Sequence, residues 1–151
     1  MKTVIFDTNV LLDIFVFNDF RAIHLKTALI DQQLKALATP KTIEEFADVL
    51  SRPLFSLERS TQEQILSKWR SLATIIPDQT LLRSPWQCQD PDDQIFLDLA
   101  YSSKPCLLIS KDNELLKLAK KALPEEVIIS NDYLITQWPY SQYPFTQATY
   151  D

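Results

Sequence analysis

An apolar run ends at a carboxylate near the start of this chain, in the order Thr3-Val4-Ile5-Phe6-Asp7-Thr8-Asn9-Val10-Leu11-Leu12-Asp13. The segment Val4-Ile5-Phe6 is typical of a strand that is buried on both faces of a parallel sheet. Asp7 would then lie at the carboxyl end of that strand, where open α/β sheets bind their ligands. A single carboxylate holds a divalent ion poorly, so a metal site would need other acids at the same place.

Strands and helices alternate along the rest of the chain. Apolar runs predict strands at 34–38, 106–109 and 127–129, and helices begin near residues 8, 20, 40, 60, 91 and 112, with a short helix over 131–138. This order predicts an α/β fold, a three-layer α/β/α sandwich with a central, mainly parallel sheet. At 151 residues we expect a single domain over 1–151, with 139–151 as an aromatic and proline-rich C-terminal tail.

Helical periodicity also predicts which side chains face inward. In the first helix, which Thr8 or Asn9 can cap, they are Leu11, Ile14 and Phe15. In the second helix, over 20–32, they are Ile23, Thr27 and Ile30. In the fourth helix, which begins with a capping-box pattern over 60–63, they are Ile65, Leu66, Trp69, Leu72, Ala73 and Ile76.

The third helix carries two adjacent acids, Glu44 and Glu45, at opposite rims of its apolar face. Helical phase mildly favours Glu45 as the inward one. Two possible starts of the helix give Glu45 different roles. If Thr42 caps the helix, Thr42 and Glu45 form a capping box and Glu45 is structural. If the helix starts at Thr39-Pro40 instead, Glu45 lies inside it and is free.

The run Asp90-Pro91-Asp92-Asp93 begins the fifth helix, with Asp90 as the cap and Pro91 at the first position. Acids in a first turn can simply complement the helix dipole. Phase nevertheless turns both Asp92 and Asp93 toward the body of the protein, and the nearby sequence offers no cation for them.

Asp112 repeats the pattern of Asp7, because it follows the strand 106–109 after a short polar link. On its own it could be only a helix cap. Since the strands of a parallel sheet end at one edge, Asp7 and Asp112 should meet there, and the helices that carry Glu45 and Asp93 should begin near the same edge.

Composition excludes several classes of protein. The chain has no glycine, so the glycine-rich phosphate loops of nucleotide-binding folds are excluded. Its net charge of −5 does not favour nucleic-acid binding over a broad surface, and any such binding must be local. Cys88 and Cys106 lack the spacing of a metal site, and His24 stands alone. With no signal peptide or membrane span in the sequence, we expect a cytoplasmic protein.

Four segments together resemble the PIN-domain family, and within it the VapC-like toxins of toxin–antitoxin systems. They are Val4-Ile5-Phe6-Asp7-Thr8-Asn9-Val10-Leu11, Ile43-Glu44-Glu45-Phe46-Ala47-Asp48-Val49-Leu50-Ser51-Arg52-Pro53, Asp90-Pro91-Asp92-Asp93-Gln94-Ile95-Phe96-Leu97 and Leu108-Ile109-Ser110-Lys111-Asp112. They occur in the family's order and span nearly the whole chain. The chain departs from the family pattern at Lys111, where many relatives have glycine, and at Gln89, where an arginine often stands.

The resemblance implies a ribonuclease whose metal-binding acids are Asp7, Glu45, Asp93 and Asp112. It selects Glu45 over Glu44 and Asp93 over Asp92. Its polar helpers would be Thr8 or Asn9, and Ser110. It also implies an antitoxin as protein partner and a homodimer or higher homo-oligomer.

Four acids without histidine or cysteine suit Mg²⁺ or Mn²⁺, which prefer oxygen ligands. Such an ion would activate a water that hydrolyses the RNA phosphodiester. Lys41, Arg52 and Lys111 lie near the proposed edge in the predicted topology and would contact the RNA backbone. The alternatives are a receiver-like or haloacid-dehalogenase-like phosphoryl-transfer domain that also binds Mg²⁺, and a catalytically silent PIN-like interaction module.

Overall fold

The structure, a computed structural model, describes residues 1–145. Within them, five strands form one sheet in the order β3-β2-β1-β4-β5, and every neighbouring pair is parallel. The strands are β1 (Lys2–Phe6), β2 (Leu34–Ala38), β3 (Ala73–Ile75), β4 (Cys106–Ile109) and β5 (Val127–Ser130). The strand β1 is central in this order, and its Val4, Ile5 and Phe6 are buried, as predicted.

Helices cover both faces of the sheet. They are α1 (Thr8–Phe15), α2 (Ile23–Ile30), α3 (Pro40–Leu50), α4 (Arg59–Leu72), α5 (Pro91–Ser102), α6 (Asn113–Leu116) and α7 (Ala119–Ala122). Short 3₁₀ segments lie at Phe20–Ala22, Pro53–Phe55, Asp78–Thr80, Leu123–Glu125, Tyr133–Gln137 and Tyr140–Gln142. No helix among residues 1–145 combines the length and the apolar character that a membrane crossing needs.

Two hydrophobic cores lie on the two faces, because successive side chains of a strand point to opposite sides. Val4 and Phe6 of β1 belong to the core that α1, α2, α3 and α4 cover. Ile5 between them belongs to the core that α5, α6 and α7 cover. The predicted three-layer α/β/α sandwich with a parallel sheet is therefore confirmed.

The first helix is capped differently from the prediction. Asp7, and not Thr8 or Asn9, occupies the N-cap position, since its backbone is still extended where β1 ends, and its side chain makes no capping hydrogen bond. The predicted inward residues of α1 are buried: Leu11, Ile14 and Phe15.

The predicted phase of α2 is wrong. Ile23, Thr27 and Ile30 are exposed, and the buried residues are Leu25 and Leu29. The cause is that α2 is apolar on opposite sides, because Ile23 and Ile30 lie on one side of the helix and Leu25 and Leu29 on the other. Periodicity could therefore not identify which side is buried. The segment also opens with a 3₁₀ turn, Phe20–Ala22.

The fourth helix begins and ends earlier than predicted. Arg59 is its first residue and Glu58 its N-cap, so the capping-box pattern over 60–63 lies inside the helix. It ends at Leu72, and Ala73 forms part of the edge strand β3, which pairs with β2. Helical periodicity missed this strand because Ala73, its first residue, and Ile76, just after its end, continue the apolar pattern of the helix.

The end of the described chain packs onto the body. Tyr143 is 5% exposed and belongs to the first core, and Phe145 packs against that core. The remainder of the predicted tail, 146–151, lies outside the described residues, and the single-domain organisation of 1–151 stays a prediction.

Turns in the described part of the chain adopt left-handed backbone conformations without glycine. Asn18, Gln32, Ser56 and Glu126 have φ angles of 46°, 58°, 50° and 60°. Glycine tolerates this conformation at no steric cost, whereas residues with a Cβ atom do not.

The start of α3 provides a stability test. Thr39 is fully buried, its hydroxyl accepts a hydrogen bond from the Thr42 backbone N–H, and its own N–H donates to the Thr42 hydroxyl. We expect Thr39→Ala to lower the free energy of unfolding by about 1 kcal/mol, the usual effect of losing an N-cap.

Urea unfolding measures this effect. Ser60→Ala is the matched control, because Ser60 lies inside α4 and does not cap it. We expect the control to change stability by no more than about 0.5 kcal/mol. Equal effects of the two variants would contradict the assignment of Thr39 as the cap.

Candidate metal centre

Asp7 and Asp112 follow the neighbouring strands β1 and β4 at the carboxyl edge of the sheet. The backbone N–H of Asp7 donates to the carbonyl of Ile109, the last residue of β4, at 3.0 Å. This bond extends the β1–β4 ladder by one step and places Asp7 beside the connection that carries Ser110, Lys111 and Asp112.

Ser110 joins the two acids. Its hydroxyl donates to Asp7 Oδ2 at 2.6 Å and accepts the backbone N–H of Asp112 at 3.0 Å. Asp7 is 4% exposed and Ser110 is fully buried. Burial raises the pKa of Asp7, the Ser110 hydrogen bond opposes that rise, and the charge on Asp112 adds to it. The carboxylate is thus fixed in orientation but not neutralised.

Glu45 lies in the second turn of α3, within hydrogen-bonding distance of α1. The helix begins at Pro40 with a capping box formed by Thr39 and Thr42, so Glu45 is not the capping residue. This confirms the Thr39-Pro40 start that the sequence left open. The Thr8 hydroxyl donates to Glu45 Oε2 at 3.0 Å. Burial raises the pKa of Glu45 to about 7 against this hydrogen bond, and the charges on Asp92, Asp7 and Asp90 also raise it.

Asp93 faces Asp112 from the first turn of α5. Burial raises its pKa to about 7, and a hydrogen bond to the Asp112 side chain, together with the charges on Asp112 and Asp7, contributes further. Asp92 is exposed, so the prediction that both acids face inward is wrong for that residue. Asp90 caps the helix as predicted, with its side chain accepting the Asp92 backbone N–H.

Asp112 combines the two roles that the sequence suggested for it. Its Oδ1 accepts the backbone N–H of Glu114 at 2.9 Å, so it is the N-cap of α6. Its carboxyl group also hydrogen-bonds to Asp93. Asn9, the other predicted polar helper, is exposed beside Thr8 on the first turn of α1.

The donor set of this cluster suits a hard cation. Asp7, Glu45, Asp93 and Asp112 take part in none of the ion pairs found within residues 1–145. In that same range, no three His, Cys, Asp or Glu side chains are already arranged as a metal site. The residues therefore fit a divalent ion in chemistry and in charge, and their carboxylates would have to draw closer around it.

The three predicted substrate-binding cations differ in position. Lys41 is exposed in the first turn of α3, at the end where the helix enters from β2. Arg52 lies beyond the opposite end of that helix, roughly 16 Å along its axis, and pairs with Asp48 at 3.5 Å. Lys111 Nζ pairs with Asp13 at 2.8 Å. Among the described residues, Lys41 is thus the one of the three without an ion pair, and it lies at the end of α3 that follows the carboxyl end of β2.

Sequence reasoning missed Asp13, which is 3% exposed. Tyr133, from the 3₁₀ segment after β5, donates its hydroxyl to Asp13 Oδ2 at 2.5 Å. Burial raises the pKa of the Tyr133 phenol, and the hydrogen bond to Asp13 raises it further, so this hydroxyl stays protonated and donates. The available signal was a charged residue inside the apolar run Leu11-Leu12-Asp13-Ile14, because such a residue needs a partner when buried.

The raised pKa values predict how the metal-free protein responds to pH. Folded Glu45 and Asp93 keep their protons up to about pH 7, whereas unfolded they lose them near 4.5 and 3.8. The folded state therefore binds more protons between these values, so this part of the stability is complete below about pH 4 and is lost as the pH rises through 7.

We expect Glu45→Gln and Asp93→Asn each to weaken this decline. Glu44→Gln is the control, because Glu44 is exposed on the same helix. Urea unfolding between pH 4 and 8 in the presence of EDTA measures the slope. Variants that decline as steeply as the wild type would contradict the burial argument.

Comparison with known proteins places this geometry in a family. The family model described as PIN domain matches residues 3–114, which contain all four acids. A comparison with curated proteins gave no match. Among solved structures, the chain is similar to one in the crystal structure of VapBC2 from Rickettsia felis bound to a DNA fragment from their promoter. The TM-score is 0.57 at 13% identity, over 85% of this chain and 97% of that one, which is a likeness of fold. Since the family model covers most of the sequence, this chain belongs to the PIN-domain family.

Proposed function

We propose that this protein is a divalent-metal-dependent endoribonuclease and the toxin of a toxin–antitoxin module. PIN domains are in general nucleases that use divalent metal ions. The observation that carries the proposal is the group of four acids, contributed by two strand ends and two helices, in which the charges of neighbouring acids raise the pKa values of Asp7, Glu45 and Asp93. Acids that repel one another in this way favour a cation between them.

Some residues of the site would bind the metal ion, and others orient the residues that bind it. Asp7, Asp93 and Asp112 would hold the ion, directly or through water, and Glu45 would hold a second ion or orient the attacking water. When bound, Mg²⁺ or Mn²⁺ lowers the pKa of water and offsets charge on the phosphate. Ser110 fixes the orientation of the Asp7 carboxylate, and Thr8 fixes that of Glu45. With a pKa of about 7, Glu45 is suited to accept a proton from water at neutral pH.

The partners follow from the same assignment. The similar solved structure is a VapBC2 complex, and we infer that an antitoxin binds this chain as well, in the cytoplasm where its RNA substrate is found. Large apolar side chains are available for such a partner or for a second copy of the chain. Phe20 is 81% exposed and Ile23 is 57% exposed. Both line an open cavity of about 900 Å³ at the amino-terminal edge of the sheet.

Two alternatives have less support. Membership of the PIN-domain family argues against a receiver-like or dehalogenase-like domain. A catalytically silent module would have no need for four buried or half-buried acids that have no cation partner among residues 1–145. No feature of the described residues favours either alternative.

Cleavage of RNA by purified protein tests the proposal. With Mg²⁺ or Mn²⁺ present, we expect Asp7→Asn and Asp93→Asn to reduce the rate at least about 100-fold, since loss of an outer-shell partner alone costs up to that much. Glu44→Gln is the control, because Glu44 is an exposed acid next to Glu45 on the same helix. Full activity of Asp7→Asn, or equal losses at positions 44 and 93, would refute the site.

A binding experiment tests the role of Lys41. If its ammonium contacts an RNA phosphate, Lys41→Ala should make the slope of log affinity against log salt shallower by about 0.7, the value for one phosphate of a single strand. Fluorescence anisotropy of a labelled RNA in EDTA measures the slope without cleavage. Lys120→Ala on α7 is the control for loss of one surface charge. An unchanged slope for Lys41→Ala would remove Lys41 from the interface.

A further inference from the structure

Lys111 stands between two residues of the acidic cluster, Ser110 and Asp112. The hydrogen bonds of Ser110 to Asp7 and to the Asp112 N–H fix the backbone on both sides of it. A lysine ammonium is a compact charge on a flexible four-carbon stem. From this position it could reach the carboxylates of the cluster and neutralise one of them. The direction in which its side chain is held therefore decides how negative the cluster remains.

An acid of α1, Asp13, holds the ammonium. Lys111 Nζ lies 2.8 Å from Asp13 Oδ2, and the Asp13 side chain is 4% exposed. The Tyr133 hydroxyl donates to the same oxygen and fixes the carboxylate. The nearby Arg21 is bound to Asp19 at 2.7 Å and does not pair with Asp13. Among the described residues, Lys111 is thus the cation paired with Asp13.

Stability alone gives little reason for this pair. Asp13 is buried but the Lys111 side chain is 37% exposed, and the cost of removing a charge from water offsets much of what such a pair gains from attraction. A role of Asp13 in fixing the position of the Lys111 ammonium explains the pair better. Asp13 and Asp7 lie on the same short helix, so one element holds both the acid of the cluster and the acid that binds the neighbouring lysine.

We propose that Asp13 is a positioning residue that holds the Lys111 ammonium outside the cluster of Asp7, Glu45, Asp93 and Asp112 and so leaves that cluster to a divalent cation. This inference rests on the proposed function, because it needs the cluster to bind a metal. It also changes the role of Lys111 from a phosphate contact to a cation that must be kept away from the acids.

Binding of Mn²⁺, measured by electron paramagnetic resonance of the free ion, tests the inference directly. In Asp13→Asn, the uncompensated Lys111 competes with the metal, and we expect the dissociation constant to rise about tenfold, within the range of coupling between contacting residues. In the double variant Asp13→Asn/Lys111→Met the competing charge is gone, and affinity should return to within about threefold of the wild type. A structural role of Asp13 would not produce this rescue.

Lys117→Met is the control for removing a positive charge near the site. Lys117 is bound to Glu114 at 2.6 Å and is exposed, so its loss releases no other cation. Circular dichroism establishes that each variant is folded. Should Asp13→Asn not fold, Tyr133→Phe removes only the hydroxyl that fixes Asp13. We then expect weaker Mn²⁺ binding that Lys111→Met reverses.

The outcomes separate this inference from the proposed function. Wild-type protein that neither binds Mn²⁺ nor cleaves RNA would refute the proposed function. Wild-type protein that does both, while Asp13→Asn binds Mn²⁺ with unchanged affinity, would overturn this inference alone. A double variant that binds as weakly as Asp13→Asn would also overturn it, because the loss would then arise from disturbed structure and not from the released charge.

Discussion

Parallel pairing of β1 with β4 is the interaction on which the rest of this structure depends. It sets Phe6 beside Ile109, and one further hydrogen bond, from the Asp7 N–H to the Ile109 carbonyl, continues the ladder past the strand ends. The two residues that follow, Asp7 and Ser110, then come into direct contact although they are 103 positions apart in the chain. A slip in this register would separate them. The site is therefore a product of sheet topology, and the helices add Glu45 and Asp93 to an edge that the strands have already defined.

Charge is distributed unevenly around that edge. Several exposed lysines and arginines pair with exposed acids, as Arg59 does with Glu63 and Lys104 with Glu125. Such pairs contribute little to stability. The cluster itself receives hydroxyl donors, from Ser110 and Thr8, and these orient its carboxylates without cancelling their charge. The protein thus gathers four acids without a cation partner among residues 1–145 in a partly buried place, and their ionisation has a cost in the folded state unless a cation joins them.

Much of the fold could be predicted from the sequence because its signals were local and strong. The runs at β1, β2 and β4 are almost wholly apolar, and Thr39-Pro40 and Asp90-Pro91 mark helix starts that the structure contains. The common edge of the strands followed from topology alone. The choice between the two starts of α3 could not be made from pattern, since both Thr39 and Thr42 are good caps. The structure resolves it by using the two threonines together.

The predictions that were wrong or missing have physical causes that cannot be read from a sequence pattern. Apolar residues on opposite sides of α2 concealed which side is buried. The strand β3 was missed because Ala73, its first residue, and Ile76, just after its end, continue the apolar spacing of α4. Asp92 and Asp93 are neighbours in the first turn of α5, and the sequence pattern did not distinguish the exposed Asp92 from the half-buried Asp93. Asp13 was missed since its partners, Lys111 and Tyr133, come from distant parts of the chain. Each case needed information about three-dimensional neighbours.

A chain of 151 residues without glycine also has an unusual unfolded state. Every residue carries a Cβ atom, so the denatured backbone samples fewer conformations and loses less entropy when it folds. The folded state gives part of this advantage back at Asn18, Gln32, Ser56 and Glu126, where left-handed turns strain an L-residue by about 1–2 kcal/mol each. The lower conformational entropy of the unfolded chain therefore stabilises the fold, and the strain of the left-handed turns offsets part of that gain.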